Sequence, residues 1–260
     1  MSSPDHQGER IQKVLSHAGV GSRRQVETWI QQGRIRVNGE VVTELGRRID
    51  PERDLVEKDR KPLHLQVDRR YVVFHKPTKM VTSLHDEKGR ADLQGVLAEI
   101  GERLHPVGRL DYDTSGLLLL TNDGETTQVL AHPSFGVSKT YRAVVPGQVS
   151  AHTLQQLRGG VELDDGPMAV DRVKVVETGE SGRTVLELTI HSGRNRIVRR
   201  LLEAVGHPVL TLHRTSFGPF HLGGLKPGSF RDVDQRERHL LASLVEEAKK
   251  ASRNTSRTTS

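Results

Sequence analysis

One stretch of this 260-residue chain has residue types and spacing that invite chemistry: GRLDYDTSGLLLLTNDG, from Gly108 to Gly124. Asp111 follows Arg109 by two residues, so on an extended segment both side chains leave the same face and an ion pair is within reach. An arginine beside a carboxylate favours the ionised form, which suits a nucleophile or base better than an acid. Asp111 and Asp113 equally suit turning the chain ahead of the apolar run at 117–120. Residue chemistry alone therefore chooses neither between the two aspartates nor between catalyst and turn.

Other chemistries have less support. The chain has no cysteine, which excludes disulfides, thiol catalysis and cysteine-ligated zinc and fits a reducing compartment. Its 13 histidines show no metal-ligand spacing such as HExxH, so no metal is expected. GxSxG, GxxxxGK[ST] and a dinucleotide fingerprint after a strand are absent, which sets aside elbow-type serine hydrolases, P-loop enzymes and Rossmann enzymes. Carboxylate chemistry beside arginines is what remains.

The elements that must carry these residues read as an α+β domain built on a mixed, largely antiparallel sheet. YVVFHKP begins it as a strand that stops at Pro77, and Leu117 to Leu120 form a short buried strand between Gly116 and the turn residues Asn122, Asp123 and Gly124. TYRAVVP, AVDRVKVVE and TVLELTIHS read as further strands, and helices are expected at 125–132, 150–158, 195–205 and 235–250. On the third of these, Ile197, Val198, Leu201, Leu202 and Val205 supply the buried face, so some of Arg194, Arg196, Arg199 and Arg200 must point outward.

A smaller module precedes this domain. Ile11, Val14, Leu15 and Ala18 form one helix face ended by Gly19, and Ser22 can cap a second helix carrying Val26, Trp29 and Ile30 and stopped at Gly33. RIRVNGEVV then alternates polar and apolar residues around the hairpin turn Asn38-Gly39. Residues 51–68 read as a last strand, with Leu63, Leu65 and Val67 alternating, followed by a linker that leaves the two domains flexibly oriented. The expected organisation is a disordered N-terminus at 1–8, the module and linker at 9–67, the larger domain at 68–250 and a disordered basic tail at 251–260.

Charge points to a polyanion. The excess of 39 Lys+Arg over 33 Asp+Glu gives +6 and a pI near 9.7, with arginines grouped at 23–24, 34–36, 47–48, 69–70 and 194–200. Arg23 and Arg24 stand in the first turn of the second helix, where the macrodipole disfavours cations and a bound phosphate would favour them. Nine aromatic residues (five Phe, three Tyr, one Trp) are too few to stack a long single strand, so phosphate contacts and shape must carry affinity. No apolar run is long enough to cross a bilayer and no signal peptide is evident, so a cytoplasmic protein is expected.

Two resemblances add to this reading. The run ERIQKVLSHAGVGSRRQVETWIQQGRIRVNGEVV resembles the small RNA-binding domain named after ribosomal protein S-four, over roughly residues 8–55. That implies RNA contacts from Arg23, Arg24, Arg34 and Arg36. The run from Gly108 to Gly124, together with YVVFHKPTKMVTS, SKTYRAVV and HSGRNRIVRRLLEAVGHPV, resembles the pseudouridine synthases of the ribosomal small-subunit synthase A and large-subunit synthase B branch, and RLDYDTSGLLLLTNDG is most like the B type. The resemblance implies Asp111 as the catalytic aspartate, Tyr141 as the tyrosine that packs on the target base, and Arg199 as the arginine paired with Asp111. Arg109, Lys139, Arg194, Arg196 and Arg200 then serve as substrate contacts, with Lys76 an RNA or framework contact. Where this chain has Ile197 the family commonly has glutamine.

The implied reaction isomerises a specific uridine of ribosomal RNA, 23S in preference to 16S, to pseudouridine, without redox change and hence without a cofactor. Asp111 would act on C1′ of the ribose, on C6 of the base, or on a ribose proton. The partner is ribosomal RNA or a pre-ribosomal particle, met by a monomer, with no membrane involved. A non-catalytic rRNA-binding or ribosome-assembly factor and a carboxylate-based nucleoside hydrolase are the competing readings. The presence of Asp111, Tyr141 and Arg199 together argues against the first, and the RNA-docking module against the second.

Overall fold

The computed structural model describes residues 8–66, 68–179 and 182–258, and these divide into two compact units. The first comprises the chain to Arg70 with Ile100–Leu104 and Asn122–Gly124; the second holds the remainder. Apart from Gly8, the N-terminus expected to be disordered lies outside the described residues, as do Val67 and residues 259–260.

In the first unit, β1 (Glu9–Arg10) leads into α1 (Ile11–His17) and α2 (Arg23–Gln31). Ser22 caps α2 in a full capping box: its side chain accepts from the Gln25 N–H, and the Gln25 side chain accepts from the Ser22 N–H. The hairpin of β2 (Ile35–Val37) and β3 (Glu40–Val41) turns at Asn38 and Gly39, both at positive φ, as a two-residue turn requires. After β4 (Arg48–Ile49), which pairs with β1, a second hairpin forms from β5 (Val56–Lys58) and β6 (Lys61–Pro62).

This second hairpin corrects the strand expected around 63–67. Asp59 and Arg60, both at positive φ, turn the chain earlier, and Pro62 sits in an edge strand where its missing N–H costs nothing. Leu65 packs into the module core with Ile11, Leu15, Val26, Ile30 and Ile35.

The second unit is organised by a nine-stranded sheet whose main path runs β11-β12-β10-β13-β9-β7-β15. In chain order its elements are β7 (Tyr71–Lys76), α3 (Gln94–Ile100), β8 (His105–Pro106), β9 (Thr114–Thr121), α4 (Gly124–Ala131), β10 (Lys139–Pro146), α5 (Ala151–Gly159), β11 (Arg172–Gly179), β12 (Arg183–Ile190), α6 (Ile197–Ala204), β13 (Thr211–Phe217), β14 (Phe220–His221), β15 (Phe230–Asp232) and α7 (Gln235–Thr258). All pairs are antiparallel except β9 with β13. Helix α3 was not expected. Helix α7 runs past the end expected at 250, because residues 251–258 contain neither glycine nor proline to stop it.

Strands β7 and β9 form the centre. All six residues of β7 are buried, and Leu117 to Leu120 have no exposed surface, each contributing about 1.5–3 kcal/mol by burial. Two leucines of β9 pack with Val73, Val129, Phe217, Phe220 and the α7 residues Leu241 and Val245. Gly116, at φ +113, lets β9 approach β13: a Cβ there would lie 2.5 Å from the backbone nitrogen of Arg214. Among the described residues, no helix is long and apolar enough to cross a membrane.

Candidate active site

The segment before β9 both turns the chain and presents a carboxylate. The Thr114 N–H donates to the Asp111 carbonyl at 3.1 Å, closing a turn over 111–114. Thr82 clamps the residue before it: its hydroxyl donates to the Leu110 carbonyl at 2.8 Å and accepts from the Leu110 N–H at 3.1 Å. The Lys79 N–H donates to the Tyr112 carbonyl at 2.7 Å. The stretch after β7 thus fixes Asp111 from the side, through contacts that no residue pattern near Asp111 announces.

A cavity of about 340 Å³ opens beside this turn. It brings Asp111 together with Arg109, Lys139, Tyr141, Arg194, Arg196 and Ile197, all singled out from the sequence, and with Arg214 and Phe217, which were not. Asp113 does not line it. A wider hollow of about 620 Å³ shares Asp111, Arg109 and Arg196 and adds Asp113, Asp86, Arg90 and Tyr112. Tyr141, in β10, is 8% exposed and lies in register with Arg214 of β13.

The ion pairs differ from those expected. Arg199 does not pair with Asp111. Its Nη2 lies 3.1 Å from the Asp113 carboxylate and donates to the Asp113 carbonyl at 3.0 Å. Arg196 is the cation near Asp111, at 3.7 Å, and it also reaches Asp113 at 3.3 Å. The cause lies in the backbone: Arg196 adopts left-handed φ +48, so α6 begins at Ile197 rather than at 195, which resets the directions of its arginines.

Arg109 forms no ion pair with Asp111, because Asp111 opens a turn instead of continuing an extended strand. Arg200 lies outside the cavity, bound to Asp165 at 2.6 Å, and Arg194 reaches the same carboxylate at 3.5 Å and the Gly166 carbonyl at 2.9 Å. Ile197 is buried and apolar in the cavity wall.

Buried cations dominate the electrostatics. Lys76 has no exposed surface and donates to the Pro77 and Thr114 carbonyls at 2.9 Å each, so it is a framework residue. Burial brings its pKa down to about 8 against the opposing pull of Asp111 and Asp113. Lys139 is also brought down to about 8, by burial and then by the charge of Arg214. Burial lowers Arg199 too, and Asp113 opposes this. Among the described residues, no group of acidic or histidine side chains is arranged to hold a metal.

Parity would have found Arg214: in TLHRTSF it falls on the same face as Leu212, and both are buried. A lysine ending a mostly apolar strand before proline was the corresponding signal for Lys76.

In the first unit, Arg23 and Arg24 are exposed at the start of α2 and, among the described residues, enter no ion pair. Arg34 is bound in a fork by Asp59, at 2.8 and 2.6 Å, and Arg36 donates to the Gly39 carbonyl at 3.3 Å.

Comparison with known proteins places both units in known families. The family model described as RNA pseudouridylate synthase matches residues 70–204, and the S4 domain model matches 9–55. The chain is 41% identical to the ribosomal large subunit pseudouridine synthase B of Bacillus subtilis (strain 168), over 94% of this chain and 99% of that protein. It is 45% identical to an RNA pseudouridine synthase of Aquifex aeolicus (strain VF5), over 91% of this chain and 94% of that one. A crystal structure of a pseudouridylate synthase superimposes with a TM-score of 0.63 at 27% identity, covering 90% of this chain and all of that one.

Proposed function

Because the chain belongs to the family of RNA pseudouridine synthases, which are isomerases, we propose that it converts a specific uridine of ribosomal RNA to pseudouridine with Asp111 as the catalytic carboxylate. The substrate in this reading is 23S RNA, free or in a pre-ribosomal particle. The enzyme works as a cytoplasmic monomer without a cofactor. Similarity to a large-subunit synthase B over nearly the whole chain supports this choice of RNA.

The observation that carries the reading is that Asp111, and not Asp113, shares the cavity with Tyr141. Two arginines lie within ion-pair distance of the Asp113 carboxylate, whereas Asp111 has one, Arg196 at 3.7 Å. A carboxylate so placed can reach a ribose or base carbon. Tyr141 offers the base a flat apolar face with a polar end. A duplex hides the reacting atoms, so the target nucleotide is turned out of its stack, and the exposed Arg109 is placed at the rim to brace the gap. Arg23 and Arg24 at the start of α2, with Arg36, dock the RNA, while Arg34 is held by Asp59.

The test is incubation of the purified protein with unmodified rRNA transcripts, followed by chemical adduct formation and primer extension to map pseudouridine. Wild type forms pseudouridine at one position and Asp111→Asn forms none. No product with wild type, or equal product from Asp111→Asn, overturns the proposal.

A further inference from the structure

The charges bearing on the cavity fall into two groups. Asp111 and Asp113 are answered by Arg196, Arg199 and the buried Lys76. Lys139 and Arg214 form the second group and have no carboxylate: among the described residues neither enters an ion pair. Arg214 is 2% exposed, its Nε donates to the Leu117 carbonyl at 2.8 Å, and its Nη2 is buried without any partner. Lys139 donates to the Val137 carbonyl at 3.2 Å. Both cations rest on one ring, the guanidinium carbon 4.9 Å and the ammonium nitrogen 5.3 Å from the centroid of Phe217.

The sheet sets this pair beside the tyrosine. Arg214 lies in register with Tyr141, and Lys139 in register with Phe217, with a bulge between Thr140 and Tyr141. All four residues line the cavity. Two like charges side by side without a counter-charge, Arg214 buried and Lys139 half-buried, are costly, and the lowered pKa of Lys139 records that cost. Such an arrangement becomes favourable when an anion arrives between them, which is how a preorganised site stabilises charge that develops during a reaction.

On the proposed function, one negative charge appears whatever Asp111 does. If the N1–C1′ bond breaks, its electron pair stays on the uracil, spread over N1, O2 and O4. If Asp111 adds to C6 instead, the displaced pair moves to O4. In either course the N1–C1′ bond is broken and C5 bonds to C1′, any bond Asp111 has made to C1′ or C6 is released to restore its carboxylate, and the C5 proton is lost while N1 takes one up, so that the product is neutral and isomeric with the substrate. We infer that Lys139 and Arg214 form a cationic seat for the uracil ring in its anionic state. An RNA phosphate fits the pair less well, since it needs no burial and the exposed Arg109 and Arg194 already line the rim.

The test uses the full chain and two small probes at neutral pH: uracil, which is neutral, and 5-nitrouracil, which is an anion. Titration calorimetry should show wild type binding the anion at least about tenfold more tightly than uracil. Lys139→Met and Arg214→Gln lose this preference, while Lys139→Arg keeps it. Arg214 is a core residue whose variant can fail to fold, so Lys139→Met, with its fold checked by circular dichroism, decides alone. Equal binding of the two probes by wild type, or a preference that survives in Lys139→Met, overturns the inference. So does binding of inorganic phosphate that depends on Lys139 without any preference between the rings. An intact preference in a protein that makes no pseudouridine supports the seat and overturns the proposed function, so the two failures are distinguishable.

Discussion

Arg199 is tethered to Asp113 twice, through the carboxylate at 3.1 Å and the backbone carbonyl at 3.0 Å. Asp113 also takes Arg196, which leaves Asp111 lightly held. Asp113 therefore positions the two arginines beside the carboxylate that reacts. Asp113→Ala should lower the single-turnover rate about tenfold, the equivalent of about 1.4 kcal/mol, whereas Asp111→Asn abolishes turnover. Equal losses from both, measured on the same rRNA transcript, would contradict this division of roles.

At Gly116 strand β9 comes close to the backbone of Arg214 in β13. Alanine there meets both the backbone of Arg214 and an unfavourable φ of +113, so Gly116→Ala should cost roughly 3 kcal/mol or prevent folding. The midpoint of urea unfolding reads the effect. An unchanged midpoint would mean that the two strands separate easily.

The two lowered lysines give opposite pH signatures for activity and stability. Lys139 loses its proton as pH rises through about 8, so kcat/KM falls on the alkaline side, and in Lys139→Arg that limb moves to higher pH. For Lys76 the folded pKa of about 8 lies below the ordinary 10.5, so between these values the unfolded chain holds more protons than the folded one. Its contribution to stability therefore rises with pH across that window. The rise in urea-unfolding free energy from pH 8 to 10 should be smaller in Lys76→Met than in wild type. An equal rise in both removes Lys76 as its source.

The arginines of the first unit differ in availability. Replacing both Arg23 and Arg24 by alanine should weaken RNA binding and reduce the slope of log affinity against log salt by about 2, since each neutralises about one phosphate. Arg34→Ala leaves that slope unchanged, because Asp59 already neutralises Arg34. Filter-binding isotherms at several salt concentrations separate the cases. A slope that falls equally in both would show that the Asp59 pair opens on binding.

Local signals carried much of the fold. Asn38-Gly39 announced its hairpin, Ser22 its helix, and the apolar runs of β7 and β9 the centre of the sheet. The cavity was legible through the family resemblance, which singled out Asp111, Lys139, Tyr141, Arg194 and Arg196, and these meet there. The pairing of Arg199 was not legible, because it depends on one left-handed residue, Arg196, that has no sequence signature. The Thr82 clamp was hidden for another reason. It joins residues 28 positions apart, and hydroxyl-to-backbone bonds follow no periodicity.

The parallel pairing of β9 with β13 also constrains how the protein is born. Thr114 meets Leu212 across 98 positions, and β7 meets β15 only near residue 230. The wall that joins Asp111 to Tyr141 and Arg214 cannot close until almost the whole chain has left the ribosome, since strand pairs so distant must wait for their partners. Until then β9, with its four consecutive leucines, has β7 on one edge and an open edge where β13 belongs, and a nascent chain stalled before β13 is both inactive and prone to aggregate.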